Sequence, residues 1–177
     1  MTPPRTSRSR REASPPPPPV DGASLTDWFA DALPDGWFSS DLTVRHDADE
    51  ILVTGDLGPP GAGLSHEQQI AAFREATREQ RMAIADEAEA RFRRTVSWGV
   101  VCGDHEIRFT TVNAPAMTRL RLEERQVLDT LIDAGIARSR SEALAWCVRL
   151  VGEHEHDWIH DLREAIDRVQ EVRDQRP

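Results

Sequence analysis

Two stretches of alternating apolar and polar residues, LTVRHDADEILVTGDL and TVSWGVVCGDHEIRFTTV, flank one long stretch of helical period. This change of period constrains the fold most, because side chains on a strand repeat every two residues and those on a helix every 3.6. The first stretch turns at DADE and the second at Gly103-Asp104, so each predicts a β-hairpin. Between them GPPGAG reads as a loop; nothing basic follows it, so it is no phosphate cradle. Ser65 to Arg94 predicts one long helix, opened by a Ser65/Gln68 capping box, with Ile70, Phe73, Ile84, Ala88 and Phe92 on one face. Upstream, SLTDWFADALPDGWF predicts a short helix capped by Ser24 and stopped by Pro34. The expectation is a small ββαββ unit of the α+β class over residues 23–113, with no chemistry assigned to it.

Residues 1–22 contain almost nothing to bury and are expected to form a disordered Arg/Pro-rich tail, its proline run in polyproline II. All 22 basic residues of the chain are Arg, and there is neither Lys nor Tyr. That removes Walker-type phosphate loops, lysine Schiff bases and phenolic nucleophiles. This usage, with abundant Ala, Asp and Glu, is like that of a high-GC bacterial genome. A net charge of −9 works against unassisted binding to nucleic acid or an anionic membrane, so any such interaction has to be built locally. The charge is uneven: residues 21–63 hold one Arg against nine acids, and residues 116–150 hold six Arg against five. Two cysteines make no disulfide framework. No signal core and no membrane-length apolar window is present, so a soluble cytoplasmic protein is expected.

From Ala116 the chain runs AMTRLRLEERQVLDTLIDAGIARSRSEALAWCVRLV. Met117 to Leu122 alternates, with Thr118, Leu120 and Leu122 on one face and Met117, Arg119 and Arg121 on the other. Val127, Leu128, Leu131 and Ile132 have helical spacing, and Gly135 stands where a left-handed C-cap is wanted. Ser139 and Glu142 form an S-x-x-E capping box for a second helix, whose inner face is Ala143, Leu144, Cys147, Leu150 and Val151.

A strand, a helix, a glycine turn and a capped second helix in this order resemble the ribbon-helix-helix DNA-binding family. LDTLIDAGIARSRSEALAWCVRLV is similar to that family's mid-helix Leu-Asp, its Gly turn and its Ser-Arg-Ser-Glu helix opening. The resemblance implies a homodimer whose paired strands enter the major groove of double-stranded DNA, which admits a two-stranded ribbon. Met117, Arg119 and Arg121 would then face the bases, and Ser139, Arg140 and Ser141, at a helix N-terminus, would hold a phosphate. Where the family carries Pro and an acid after the strand, this chain has Arg121 and Leu122. A register shifted by one residue would present Thr118 and Leu120 instead. The module with its C-terminal helix is expected over residues 114–177.

No nucleophile–base–acid trio is recognisable, so the chain is not expected to be an enzyme, and no cofactor or metal is expected. His154, His156 and His160, and separately Cys102 and His105, have spacings a zinc site can use, but such pairs are commonplace and solvated turns are the simpler expectation. Trp146 and Cys147 read as core. Ile159, Leu162, Ile166 and Val169 follow a 3-4 spacing suited to packing on a dimer core. The lead reading is a dimeric transcriptional regulator. The alternative is an adaptor that dimerises through the same module without touching DNA and takes a protein partner through residues 23–113.

Overall fold

The computed structural model describes residues 20–40 and 42–175. Most of the expected tail, residues 1–19, lies outside the described residues. The architecture is mixed α+β, and the chain divides after Pro115 into two compact units.

In the N-terminal unit, α1 (Gly22–Ala32) precedes a sheet of β1 (Thr43–His46), β2 (Glu50–Asp56), β3 (Thr95–Cys102) and β4 (His105–Arg108), in that spatial order. The outer pairs β1–β2 and β3–β4 are antiparallel, and the central pair β2–β3 is parallel, with Val53 opposite Trp98. Parallel neighbours need a crossover connection, here α2 (His66–Ala76) and α3 (Arg78–Phe92). At the first hairpin turn, the Asp47 carboxylate accepts the N–H groups of Asp49 and Glu50 at 2.8 Å. At the second, Gly103 takes φ +63°.

Three local expectations are corrected. The cap of α1 is Asp21, whose carboxylate accepts the Ser24 N–H at 3.0 Å, so Ser24 lies inside the helix. The single helix expected from Ser65 to Arg94 is two helices broken at Thr77, although its Ser65/Gln68 capping box is present. Thr77 is buried; its hydroxyl donates to the Phe73 carbonyl at 2.7 Å and accepts from Arg81 Nε at 2.9 Å. Ile51 to Gly55 are buried without a break, because β2 is a central strand rather than half of a free hairpin.

The core joins Leu25 and Phe29 of α1 to Ile51, Val53, Val96, Trp98, Val100 and Cys102 of the sheet and to Ile70, Ala88 and Phe92 of the helices. Phe73 and Ile84, expected on the same face, pack against it half-buried. Gly55 is required here, since a Cβ would overlap the Phe38 ring.

The C-terminal unit consists of α4 (Leu122–Asp133), α5 (Arg140–His154) and α6 (His156–Asp174). Its core is small: Leu128, Ala137 and Ala143 are buried, with Leu120, Leu131, Ile132, Leu144 and Cys147 packed around them. The acidic-histidine turn expected near residue 155 is narrow, with only Glu155 between two helices. No helix among the described residues is long and apolar enough to cross a membrane.

Candidate nucleic-acid interface

The α4–α5 connection follows from its sequence. Gly135 adopts φ +74°, its N–H bonds the Ile132 carbonyl at 2.9 Å, and the Ile136 N–H reaches the Leu131 carbonyl at 3.0 Å. These two bonds are a Schellman turn, which satisfies the last carbonyls of α4 and reverses the chain. Ser139 then caps α5, its hydroxyl accepting the Glu142 N–H at 3.3 Å. The other half of the expected capping box is displaced by one residue. Glu142 turns its carboxylate to the N–H of Arg138 at 2.9 Å rather than to that of Ser139.

The two arginines between the serines are committed within the unit. Arg140 holds Asp129 of α4 in a two-pronged pair, Nε to Oδ1 and Nη2 to Oδ2, each at 2.7 Å. Arg138 donates to Glu142 through Nε at 3.1 Å and Nη2 at 3.2 Å. The Arg140 side-chain hydrogen bonds hold the Asp129 carboxyl below its ordinary range, and those of Arg138 do the same for Glu142. Both guanidinium groups are correspondingly more basic than usual. What α5 offers an anion is therefore chiefly its first-turn backbone: the Arg140 and Ser141 N–H groups make no hydrogen bond among the described residues, and both residues are exposed.

Residues 111–121 form neither helix nor strand within one chain. The alternating strand expected over Met117 to Leu122 is therefore not formed among the described residues. Met117 is fully exposed and Arg119 and Arg121 are exposed, while Leu120 alone of the stretch packs inward. The side chains of Arg119 and Arg121 make no hydrogen bond or ion pair among the described residues. Leu122 does not continue the alternation: it is the first residue of α4 and is 57% exposed. The Glu124 carboxylate accepts the Arg121 N–H at 2.6 Å, and Arg125 Nη1 donates to the Leu120 carbonyl at 2.6 Å, so the entry to α4 is tied from two sides.

The six candidate residues thus form two sets. Ser139, Arg140 and Ser141 share the N-terminus of α5, and Met117, Arg119 and Arg121 share the lead-in to α4. Spacing alone offers no sign of Asp129, eleven residues from its partner; Glu142 has the i, i+4 spacing from Arg138 that could have revealed its pair.

Large apolar side chains of this unit stand uncovered: Val127, Ile136, Val148, Val151, Trp158, Leu162, Ile166 and Val169 are all exposed. The 3-4 stripe of α6 is therefore largely open, with only Ile159 half-buried. His156 and His160 lie near each other, rings 6.4 Å apart, each beside an acid of its own helix. Cys102 is buried in the core, opposite His105 in the β3–β4 register. The His105 ring stacks on His66 at 4.4 Å, with Asp104 2.8 Å from His105 Nδ1. His66, Asp104 and His105 are the metal-competent trio among the described residues, and Asp104 and His105 are exposed.

Residues 23–108 match the family model described as the N-terminal domain of Rv1265-like proteins, and residues 121–173 match the one described as the Mb1296 C-terminal domain. The gap between these matches contains the division between the two structural units. The chain is 49% identical over 164 residues to the protein Rv1265 of Mycobacterium tuberculosis, covering 89% of this chain and 72% of that one. The protein Mb1296 of Mycobacterium bovis gives the same identity and the same coverage. Both relatives bear the name of uncharacterized proteins. No solved structure matches. With this identity over nearly the whole chain and a family match in each unit, the chain belongs to the Rv1265-like family.

Proposed function

We propose that the protein is a cytoplasmic, dimeric DNA-binding protein, a transcriptional regulator whose C-terminal unit is a ribbon-helix-helix module. The observation that carries this reading is the unpaired lead-in to α4. It presents two uncommitted guanidinium groups, Arg119 and Arg121, ahead of a helix, a Schellman turn and a Ser-capped helix. Pairing that segment with its copy would supply its missing backbone partners, and the uncovered apolar side chains of the unit give the copy something to pack on. In such a dimer Met117, Arg119 and Arg121 face base edges, where Arg reads guanine O6 and N7. Ser139, Ser141 and the free N–H groups of α5 face phosphate, with the Arg140–Asp129 pair holding α5 against α4. The reading involves no catalytic step and no cofactor.

Replacing Arg119 and Arg121 together by Ala tests it. Stability should move by no more than about 0.5 kcal/mol, because both side chains are exposed and unpaired among the described residues. Sequence-specific affinity should fall by roughly 1–3 kcal/mol for each bidentate arginine–guanine pair that the substitution removes. If the parent protein retains no genomic fragment at about 50 mM salt, where phosphate interactions are strong, the reading is wrong.

The adaptor reading has its own support. Arg138 and Arg140 are neutralised by Glu142 and Asp129, and the chain carries −9 overall, so the free positive charge of the module is small. Under that reading the dimer forms without DNA, and a protein partner binds the N-terminal unit.

A further inference from the structure

The N-terminal unit contains a cleft of about 630 Å3 lined by α2, α3, β3 and the residues that follow β4. Cavities of roughly 300–1,000 Å3 are the size that holds small ligands. Its lining combines Arg74, Arg78 and Arg81, with Thr110, and the apolar Met82, Ala85, Val96 and Trp98.

The arginines lie at i, i+4 and i+7, and no carboxylate is within ion-pairing distance of any of them among the described residues. Arg81 is buried, 7% exposed, which is rare for a charged group without a counter-ion. Its Nε donates to Thr77 Oγ1 at 2.9 Å, its Nη2 to the Arg74 carbonyl at 2.6 Å, and it lies 4.7 Å over the Phe109 ring. All of these partners are neutral. Nη1 has no hydrogen bond among the described residues. Arg74 lies over the same ring at 5.5 Å, and its Nη2 touches the Phe109 carbonyl at 3.4 Å. The Arg78 side chain has no hydrogen bond among the described residues. Burial first, then the charges of Arg74 and Arg78, lower the basicity of Arg81, so the trio is a site of unrelieved positive charge in an acidic protein. Glu75 also lines the cleft but is exposed and pairs with none of the three.

We propose that this cleft binds a small organic phosphate, its phosphoryl group held by Arg74, Arg78 and Arg81 and its apolar body laid against Met82, Ala85, Val96 and Trp98. A phosphoryl group answers three guanidinium groups better than a single carboxylate does, having more charge and three acceptor oxygens for their forked donors. The apolar wall distinguishes an organic phosphate from the free ion. The proposal stands whether or not the C-terminal unit binds DNA, because its readout involves the N-terminal unit alone.

The test is calorimetric titration of the full chain with phenyl phosphate and with inorganic phosphate. Phenyl phosphate should bind saturably and about tenfold or more tighter than the free ion, the order expected from burying a ring. Arg78→Ala removes a side chain with no partner among the described residues, so the unliganded melting temperature should hold while affinity falls by about tenfold or more, the worth of a charged hydrogen bond. Arg149→Ala, in the other unit, should leave affinity unchanged. Equal affinity for the two probes, no saturation by either at millimolar concentration, or binding insensitive to Arg78→Ala would overturn the proposal. So would displacement of phenyl phosphate by duplex DNA, which would make the trio a nucleic-acid contact.

Discussion

Arg140 shows how one pair changes the meaning of a residue. In the sequence it stands at a helix N-terminus, where a phosphate is the natural partner; in the fold its guanidinium is occupied on two prongs by Asp129. An exposed pair of this kind ties two helices through charge, so its contribution depends on the ionisation of Asp129. The folded-state carboxyl is depressed, so its stabilisation is complete above the ordinary carboxylate value of about 4 and is lost as the pH falls through the lower folded-state value. Asp129→Asn should therefore lower the melting temperature at pH 7 and reduce the acid sensitivity of the C-terminal unit below about pH 4. Parallel melting-temperature curves of parent and variant between about pH 7 and 3 would show that the pair contributes nothing.

At the scale of elements, caps decide where helices begin and end more firmly than apolar spacing does. The start of α5 is set by Ser139, and the end of α4 by Gly135 in a left-handed conformation. Ser139→Ala should cost about 1 kcal/mol of stability in denaturant unfolding, the usual worth of an N-cap. Ser141→Ala, inside the first turn and exposed, should cost far less. Equal losses would mean the helix starts elsewhere. Gly135→Ala should cost about 1 kcal/mol or more, because φ +74° strains any residue with a Cβ and the Schellman bonds require it. An unchanged denaturation midpoint for that variant would contradict the turn. The break at Thr77 is the opposite case. No Gly or Pro announces it, and it accompanies a threonine hydroxyl shared between the Phe73 carbonyl and Arg81.

At the scale of the whole molecule, the two units differ in how much they bury. The N-terminal unit closes a core of twelve buried apolar residues around a four-stranded sheet. Among the described residues the C-terminal unit has three such residues, while most of its large apolar side chains stand exposed. A core that small does not offset the ordering of about sixty residues without further burial. The C-terminal unit should therefore gain its stability from a second copy. A fragment of residues 116–177 is expected to melt at a temperature that rises with protein concentration and to have dimer mass when folded. Monomer mass with a concentration-independent melt would refute this.

Features with a local cause are legible in the chain before it folds. The two turns, the Ser65/Gln68 box, the Gly135 turn, the Ser139 cap and the apolar faces of α2 to α4 follow from residues within a few positions of one another. Of the candidate DNA-binding residues, the serine cap is legible in the same way, whereas the alternation of Met117 to Leu122 is not kept: Thr118 and Leu122, expected on the inner face, are exposed like Met117, Arg119 and Arg121. The parallel pairing of β2 with β3, which buries both strands continuously, is not, since pairing is chosen by the crossover rather than by either strand. Folding likewise brings Asp129 to Arg140, and His66 of α2 onto the ring of His105. The arginine cleft belongs with these. Arg74, Arg78 and Arg81 have helical spacing in the sequence, but only the fold sets Arg81 over the Phe109 ring and against the Arg74 carbonyl. Charge partners are set by distance in space, and positions far apart along a chain carry no local sign of it.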